Sequence, residues 1–378
     1  MKLAVDTHHL LLEHAGTKRV TLNILEQFGK DEEIELLELK PSYSLTYDKA
    51  SFSKLAGHIV RFFWVQIHLP YLCFSKGVDF LLSPEFYTPV FTNCKRGVIA
   101  HDAHIRAQKQ FISPLWFYLY YIPFIEYAIR RADLIFTVSE FSKEQISSLM
   151  RLDSSKVHVA YNGVDRCFTE FKSGPSGNVV SDAGLSSGEY ILFVGTFEAR
   201  KNIERLVRAF ASFRASAGSR GAGIKLAIVG KPSSGQHSDR NKQINDLVDS
   251  LQLRNEIVMC GYVPDADLPA FYKGAAMVAF PSLYEGFGLP IIEGFASDAP
   301  VMTSNICSMP EIAGDAALLC DPNDVGDMAA KIEQLIFDTE LRRRLLSAAR
   351  KRVKVFTWEL CAGEILFQIR RSLSMFKI

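Results

Sequence analysis

Short apolar runs alternate with longer stretches of helical periodicity through both halves of this chain, and that alternation admits few folds. The runs fall at 3–5, 80–83, 97–100, 134–138 and 157–161 in the first half. In the second they fall at 191–194, 225–229, 257–260, 277–280, 301–304 and 317–320. Brief apolar runs separated by helix-length segments predict parallel strands joined by crossover helices. Between the halves, Ser173-Gly174-Pro175-Ser176-Gly177 and further Ser and Gly up to Gly188 have the composition of a linker. The expected organisation is α/β: two doubly wound parallel-sheet domains of the Rossmann type at 1–168 and 189–357, a linker at 169–188, and a final helix within 358–378. Ligands of such sheets bind beyond the carboxyl ends of the strands, so two domains facing a cleft are expected to hold them there.

Composition narrows the function. A chain of 378 residues has room for two cores, and 48% apolar with 22% charged residues is globular rather than disordered. A formal net charge of +1 gives no global case for nucleic-acid binding. The seven cysteines are dispersed with no C-x-x-C pair, which predicts reduced thiols rather than a disulfide framework or zinc site. Met1-Lys2-Leu3-Ala4-Val5-Asp6 reads as a first strand and not as a signal peptide, and no uncharged run approaches the ~18 residues of a membrane span. The expectation is a cytoplasmic protein, soluble or peripheral on the inner face of the membrane.

The segment richest in chemistry runs Pro281-Ser282-Leu283-Tyr284-Glu285-Gly286-Phe287-Gly288-Leu289-Pro290-Ile291-Ile292-Glu293-Gly294. It follows the 277–280 strand, and Pro290 suits the first turn of a helix. A strand, a Gly-x-Gly loop and a helix start make an anion-binding end, because backbone N–H groups and the helix dipole point the same way. Glu285 then hangs over the ligand from the loop, while Glu293 is expected in the first helical turn, accepting from hydroxyls. Such an arrangement suits a ligand with both phosphate and sugar. The plainer alternative is a strand–helix turn with a capping acid.

This segment resembles the E-x7-E motif of the large retaining glycosyltransferase family usually called family four, which has the GT-B fold. The resemblance implies that Glu285 lies by the transferred sugar, that Glu293 holds the ribose, and that the backbone of Phe287, Gly288 and Leu289 faces sugar and phosphates. The family's phosphate-binding lysine maps onto Lys201 in Val194-Gly195-Thr196-Phe197-Glu198-Ala199-Arg200-Lys201-Asn202. Members often carry an arginine directly after the glycine; Thr196 stands there instead, and Arg200 is the substitute cation. His101, in Ile99-Ala100-His101-Asp102-Ala103-His104, resembles the histidine that faces the sugar, with Asp102 orienting its ring. Gly16, in Glu13-His14-Ala15-Gly16-Thr17-Lys18-Arg19, is what remains of a fuller glycine-rich loop after the first strand, and the resemblance implies that this loop approaches the donor phosphate or the acceptor, with Gly16 donor-binding. Phe356-Thr357-Trp358 resembles the segment through which the final helix returns to the first domain.

Two metal readings fail on sequence grounds. His101, Asp102 and His104 are too few ligands at one strand end. Asp265-Ala266-Asp267 spells D-x-D but precedes the helical pattern beginning at Leu268, where aspartates serve as caps. No metal or other cofactor is expected. From Lys40 to Arg131 there are 11 Lys/Arg against 5 Asp/Glu, with an aromatic stretch running from Trp116 to Tyr127. That stretch is either core or an amphipathic surface for anionic lipid.

The resemblance therefore implies a retaining, metal-independent transferase that takes a nucleotide-diphosphate sugar as donor. Gly-Thr-Phe-Glu-Ala-Arg-Lys-Asn is similar to bacterial mannosyl- and rhamnosyltransferases of surface-polysaccharide assembly. GDP-mannose as donor and a lipid-linked saccharide as acceptor follow from it, with GDP-rhamnose or a UDP-sugar as alternative donors. The non-enzyme alternative is a silent nucleotide-sugar-binding subunit of an assembly complex. A glycosidase would need its carboxylates across a cleft from each other. A dinucleotide-dependent dehydrogenase would need G-x-G-x-x-G after the first strand, which is absent.

Overall fold

The computed structural model describes residues 1–11, 15–41, 51–103, 106, 117–171, 178–230 and 239–374. The Ser173–Gly177 linker segment, Glu13, His14, His104 and Trp116 lie outside these residues. The chain divides into two compact units, Met1–Gly163 with Trp358–Ile378, and Val164–Thr357.

The first unit holds a six-stranded sheet of β1 (Lys2–Asp6), β2 (Glu35–Leu39), β3 (Phe80–Ser83), β4 (Lys95–Ile99), β5 (Leu134–Thr137) and β6 (Val157–Val159). Its order is β2-β1-β3-β4-β5-β6, with every pair parallel. Phe-Leu-Leu-Ser in β3 and Leu-Ile-Phe-Thr in β5 are buried at every position, as a sheet covered on both faces requires. The helix Trp358–Ser374 buries Trp358, Cys361, Ala362, Ile365, Leu366 and Ile369 against Leu3, Val5, Val20, Ile24 and Phe28. That spacing is one face of a 3.6-residue period, and each fully buried Ile or Leu contributes about 1.5–3 kcal/mol. Arg370 fastens the same helix to Asp31 at 2.8 Å.

The helices Ser51–Phe63 and Leu69–Lys76 are joined through a π-helical turn, Trp64–His68, and a second π-helical stretch spans Phe117–Glu126. A proline explains each. Pro70 follows the first and Pro123 lies inside the second. Proline lacks an N–H and crowds the carbonyl four residues back, and i→i+5 turns accommodate that. In the second stretch Phe117 and Tyr121 are core while Tyr118 and Leu119 are exposed, so the aromatic segment is divided between interior and surface.

The second unit repeats the plan with β7 (Tyr190–Val194), β8 (Lys225–Val229), β9 (Ile257–Gly261), β10 (Met277–Phe280), β11 (Val301–Ser304) and β12 (Leu318–Cys320). The order β12-β11-β10-β7-β8-β9 is again wholly parallel. The helix Ile203–Ala217 packs Leu206, Val207, Phe210 and Phe213 into its core. Strand order reverses between β7 and β10 here, and between β1 and β3 in the first unit. At such switch points the adjoining loops part and leave room for a ligand at the carboxyl ends.

Candidate functional site

In the second unit, the loops after β7 and β10 are tied together at the switch point. Asn202, in the left-handed region at φ 61°, donates from Nδ2 to the carbonyls of Pro281 (3.0 Å) and Pro322 (2.7 Å). The Leu283 N–H donates to the Arg200 carbonyl at 2.7 Å. This stitching brings Arg200 and Lys201 onto Glu285, with Lys201 84 residues away in sequence. Lys201 Nζ lies 2.7 Å from Glu285 Oε1, and Arg200 Nη1 lies 2.8 Å from Oε2. Arg200 also meets Glu198 at 2.7 Å, and Thr196 donates its hydroxyl to Glu198 at 2.8 Å. Thr196 thus sits within the cluster, positioning the partner of Arg200.

Burial alone would push the Glu285 carboxyl up. The Lys201 and Arg200 charges, with hydrogen bonds from Lys201 and Ser282, outweigh it and hold the group below its usual range. It is an ionised carboxylate bridging two cations. Both cations were expected to await a phosphate; instead Glu285 already compensates them. Lys201 spends one of its three N–H donors on this contact, so it can meet a phosphate oxygen without releasing the carboxylate.

The glycine-rich turn carries the chain from Glu285 into the helix Leu289–Ala296. Gly288, the residue before that helix, has φ +104°, a conformation that side chains avoid. Ser308 Oγ donates to the carbonyls of Glu285 (2.9 Å) and Phe287 (3.0 Å), fixing the turn from below. The helix start has no side-chain cap among the described residues. Its first-turn N–H groups and dipole suit an anion. Phe287 is buried, its ring edge-on to Phe356 at 5.7 Å.

Glu293 departs from expectation. It is the fifth residue of its helix, past the first turn, and only 2% exposed. Its Oε2 accepts from the Tyr272 hydroxyl at 2.5 Å. The helix begins at Leu289 with Pro290 in its first turn, as expected, and Glu293 four residues after Leu289 therefore falls in the second turn. Asp267 occupies the N-cap position of the helix Leu268–Gly274 but makes no side-chain capping bond among the described residues.

In the first unit, Gly16 is the second residue of the helix Ala15–Phe28 and not part of a loop. A methyl group on it would meet nothing within 4 Å, so neither space nor backbone demands glycine there. His101 follows β4. Its ring is anchored by a backbone carbonyl, Nε2 to Pro84 O at 3.0 Å, where Asp102 was expected to orient it. Burial pushes the His101 pKa down, opposed by the Pro84 bond and by the charges of Asp102 and Glu85.

Sequence reading passed over the residues at the β1 end. Asp6 is 1% exposed and accepts from His8 Nδ1 at 2.9 Å, from the His8 N–H at 3.2 Å and from Trp64 Nε1 at 3.1 Å. Burial raises its pKa, but the His8 and Trp64 contacts bring the net value below the usual range. His9 Nε2 bonds Thr21 Oγ1 at 2.8 Å, and burial lowers the His9 pKa to about 4. The available signal was the pair His8-His9, one residue past a mostly apolar strand ending in aspartate.

Two doubly wound units, each with a polar cluster at its switch point, constitute the GT-B architecture. The chain belongs to the glycosyltransferases: residues 38–167 match the family model Glycosyltransferase Family 4, and residues 183–352 match Glycosyl transferases group 1. It is 32% identical over 235 residues to the O-antigen chain mannosyltransferase B of Escherichia coli, covering 62% of this chain and 60% of that protein. Among solved structures, the sucrose-phosphate synthase of Thermosynechococcus elongatus superposes with a TM-score of 0.74 at 18% identity, over 99% of this chain and 100% of that one. Anabaena HepE in complex with UDP-glucose gives 0.72 at 16% identity, covering the whole of both chains at 100%.

Proposed function

We propose that this chain is a retaining glycosyltransferase that needs no metal ion and moves mannose from GDP-mannose to a lipid-linked saccharide in polysaccharide or O-antigen assembly. The observation that carries the proposal is the Lys201–Glu285–Arg200 cluster at the β7/β10 switch point, beside the helix start at Leu289. The mannosyltransferase relative supports the sugar, and a neighbour of the same fold holding UDP-glucose supports a nucleotide-sugar donor.

Lys201 and Arg200, with the N–H groups around Phe287, Gly288 and Leu289, neutralise the diphosphate as it leaves. Glu293 receives the ribose, Glu285 the transferred sugar, Gly16 approaches the donor, and His101 belongs to the acceptor side. Transfer proceeds on one face of the sugar, the acceptor hydroxyl passing its proton to the departing phosphate oxygen. Glu285 as a covalent nucleophile is disfavoured, because two cations within 2.8 Å hold its electron pairs. The test is thermal stabilisation by GDP, UDP, ADP and their sugars. GDP-mannose at ~100 times its dissociation constant should add about 2.7 kcal/mol, lost in Lys201→Ala. Stabilisation by UDP-sugars alone would replace the donor. No shift with any nucleotide would favour the silent subunit.

A separate observation supports peripheral membrane contact. Ile59, Phe63, Ile67, Tyr71 and Phe74 are 48–71% exposed along 51–76, a segment with no Asp or Glu. A four-residue repeat drifts by about 40° per step on an α-helix, and the π turn at Trp64–His68 counters that drift, so the apolar residues stay in one stripe. No described helix is long and apolar enough to cross a membrane. The stripe lies on the lipid surface instead. Co-sedimentation with phosphatidylglycerol vesicles at low salt tests it; a protein that stays in the supernatant contradicts it.

A further inference from the structure

Two imidazoles at the end of β1 each leave a nitrogen unused. His8 Nε2 and His9 Nδ1 are fully buried and have no hydrogen-bond partner among the described residues. A buried polar atom without a partner costs about 1–3 kcal/mol, so a cluster of them calls for a ligand that completes it. Their opposite nitrogens fix what that ligand must offer. His8 Nδ1 faces the Asp6 carboxylate, which can only accept, so this nitrogen carries the proton. Thr21 Oγ1 gives its own proton to the Thr17 carbonyl at 3.0 Å, so it accepts from His9, whose proton sits on Nε2. His101 repeats the pattern, with Nε2 donating to Pro84 O. In the neutral rings His8 Nε2, His9 Nδ1 and His101 Nδ1 all present lone pairs. The His8 and His9 rings lie 5.9 Å apart and edge-on. His8, His101, Asp6 and Glu85 all act electrostatically on His9, which places these groups in one cluster.

We infer that His8, His9 and His101 form a hydroxyl-binding site in the first unit, in which three imidazole lone pairs receive protons from adjacent hydroxyls of the acceptor saccharide. The inference deepens the transferase reading and rests on it for the identity of the ligand. Asp6, Trp64 and Thr21 are positioning residues that hold the tautomers. A site made of acceptors alone selects hydroxyl donors and rejects a deoxy sugar, because a missing hydroxyl leaves a buried nitrogen unpaired.

Two substitutions separate a ligand role from a structural one. His8→Asn keeps an amide N–H for Asp6, and His9→Gln keeps one for Thr21; each removes the unpartnered ring nitrogen. Each should raise the acceptor KM about tenfold, the worth of one hydrogen bond, and leave the donor KM within about twofold. Unchanged acceptor KM in both variants, with transfer intact, overturns the site and leaves the transferase reading standing. Absence of transfer by the wild type from every nucleotide sugar overturns that reading. The site is then judged by imidazole 15N NMR during titration with methyl α-mannoside. Movement of the His8 Nε2 and His9 Nδ1 signals, lost in the variants, supports it; static signals overturn it.

Discussion

Replacing Lys201 with methionine removes one charge from the Glu285 bridge and little volume. Breaking a buried ion pair costs about 3–5 kcal/mol, because the remaining charge is left in a poor solvent. Here Arg200 still holds the other oxygen at 2.8 Å, and the Lys201 and Glu285 side chains keep 12% and 11% of their exposure. The expected loss is therefore below that range, about 2–3 kcal/mol. A unit the size of Val164–Thr357 shifts by about 2–4 °C per kcal/mol, so its unfolding transition should fall by roughly 4–12 °C in calorimetry of the full chain. The pH dependence has a fixed sign. Glu285 has a folded pKa below its ordinary 4.5, so its stabilisation is present above pH 4.5 and lost as pH falls through the folded value. The gap between wild type and Lys201→Met should narrow on acidification below that point. A gap under about 0.5 kcal/mol at pH 7, or one that does not change with pH, would refute the bridge as drawn.

Other outcomes follow from the same geometry. Tyr272→Phe removes the hydroxyl on buried Glu293 and should cost about 1–3 kcal/mol by chemical denaturation. Gly288→Ala places a side chain at φ +104° and 3.0 Å from Ile291 Cδ1, costing about 1–3 kcal/mol and weakening nucleotide stabilisation in the same thermal assay. Asp6→Asn removes a carboxylate whose pKa is lowered by folding, so the stability it forfeits should be full above about pH 4 and vanish at lower pH in acid titrations of unfolding. Ile67→Asp should release the protein from phosphatidylglycerol vesicles while leaving its unfolding temperature unchanged.

The fold was legible where burial is two-sided. The boundaries expected for 80–83, 225–229, 277–280 and 301–304 coincide with β3, β8, β10 and β11, because a parallel strand covered on both faces is one continuous apolar run. The edge strand Glu-Leu-Leu-Glu-Leu at Glu35–Leu39 has no such run and went unread. Ser139 was legible as an N-cap, accepting from the Ser142 N–H at 3.0 Å. The candidate site was legible as residue types and less so as partnerships. Arg200, Lys201 and Glu285 could each be singled out, but the bridge joining them depends on Asn202 and Leu283 stitching two loops. The His8–Asp6–Trp64 contact spans 58 residues of sequence, and no local pattern announces it.

The most direct test is incubation of the full chain with GDP-mannose and a mannose-terminated lipid-linked saccharide, followed by NMR of the product's anomeric proton. The account predicts a new mannosyl linkage with the α configuration of the donor retained, and none formed by Lys201→Ala. A β linkage, or no transfer from any nucleotide sugar, would contradict it.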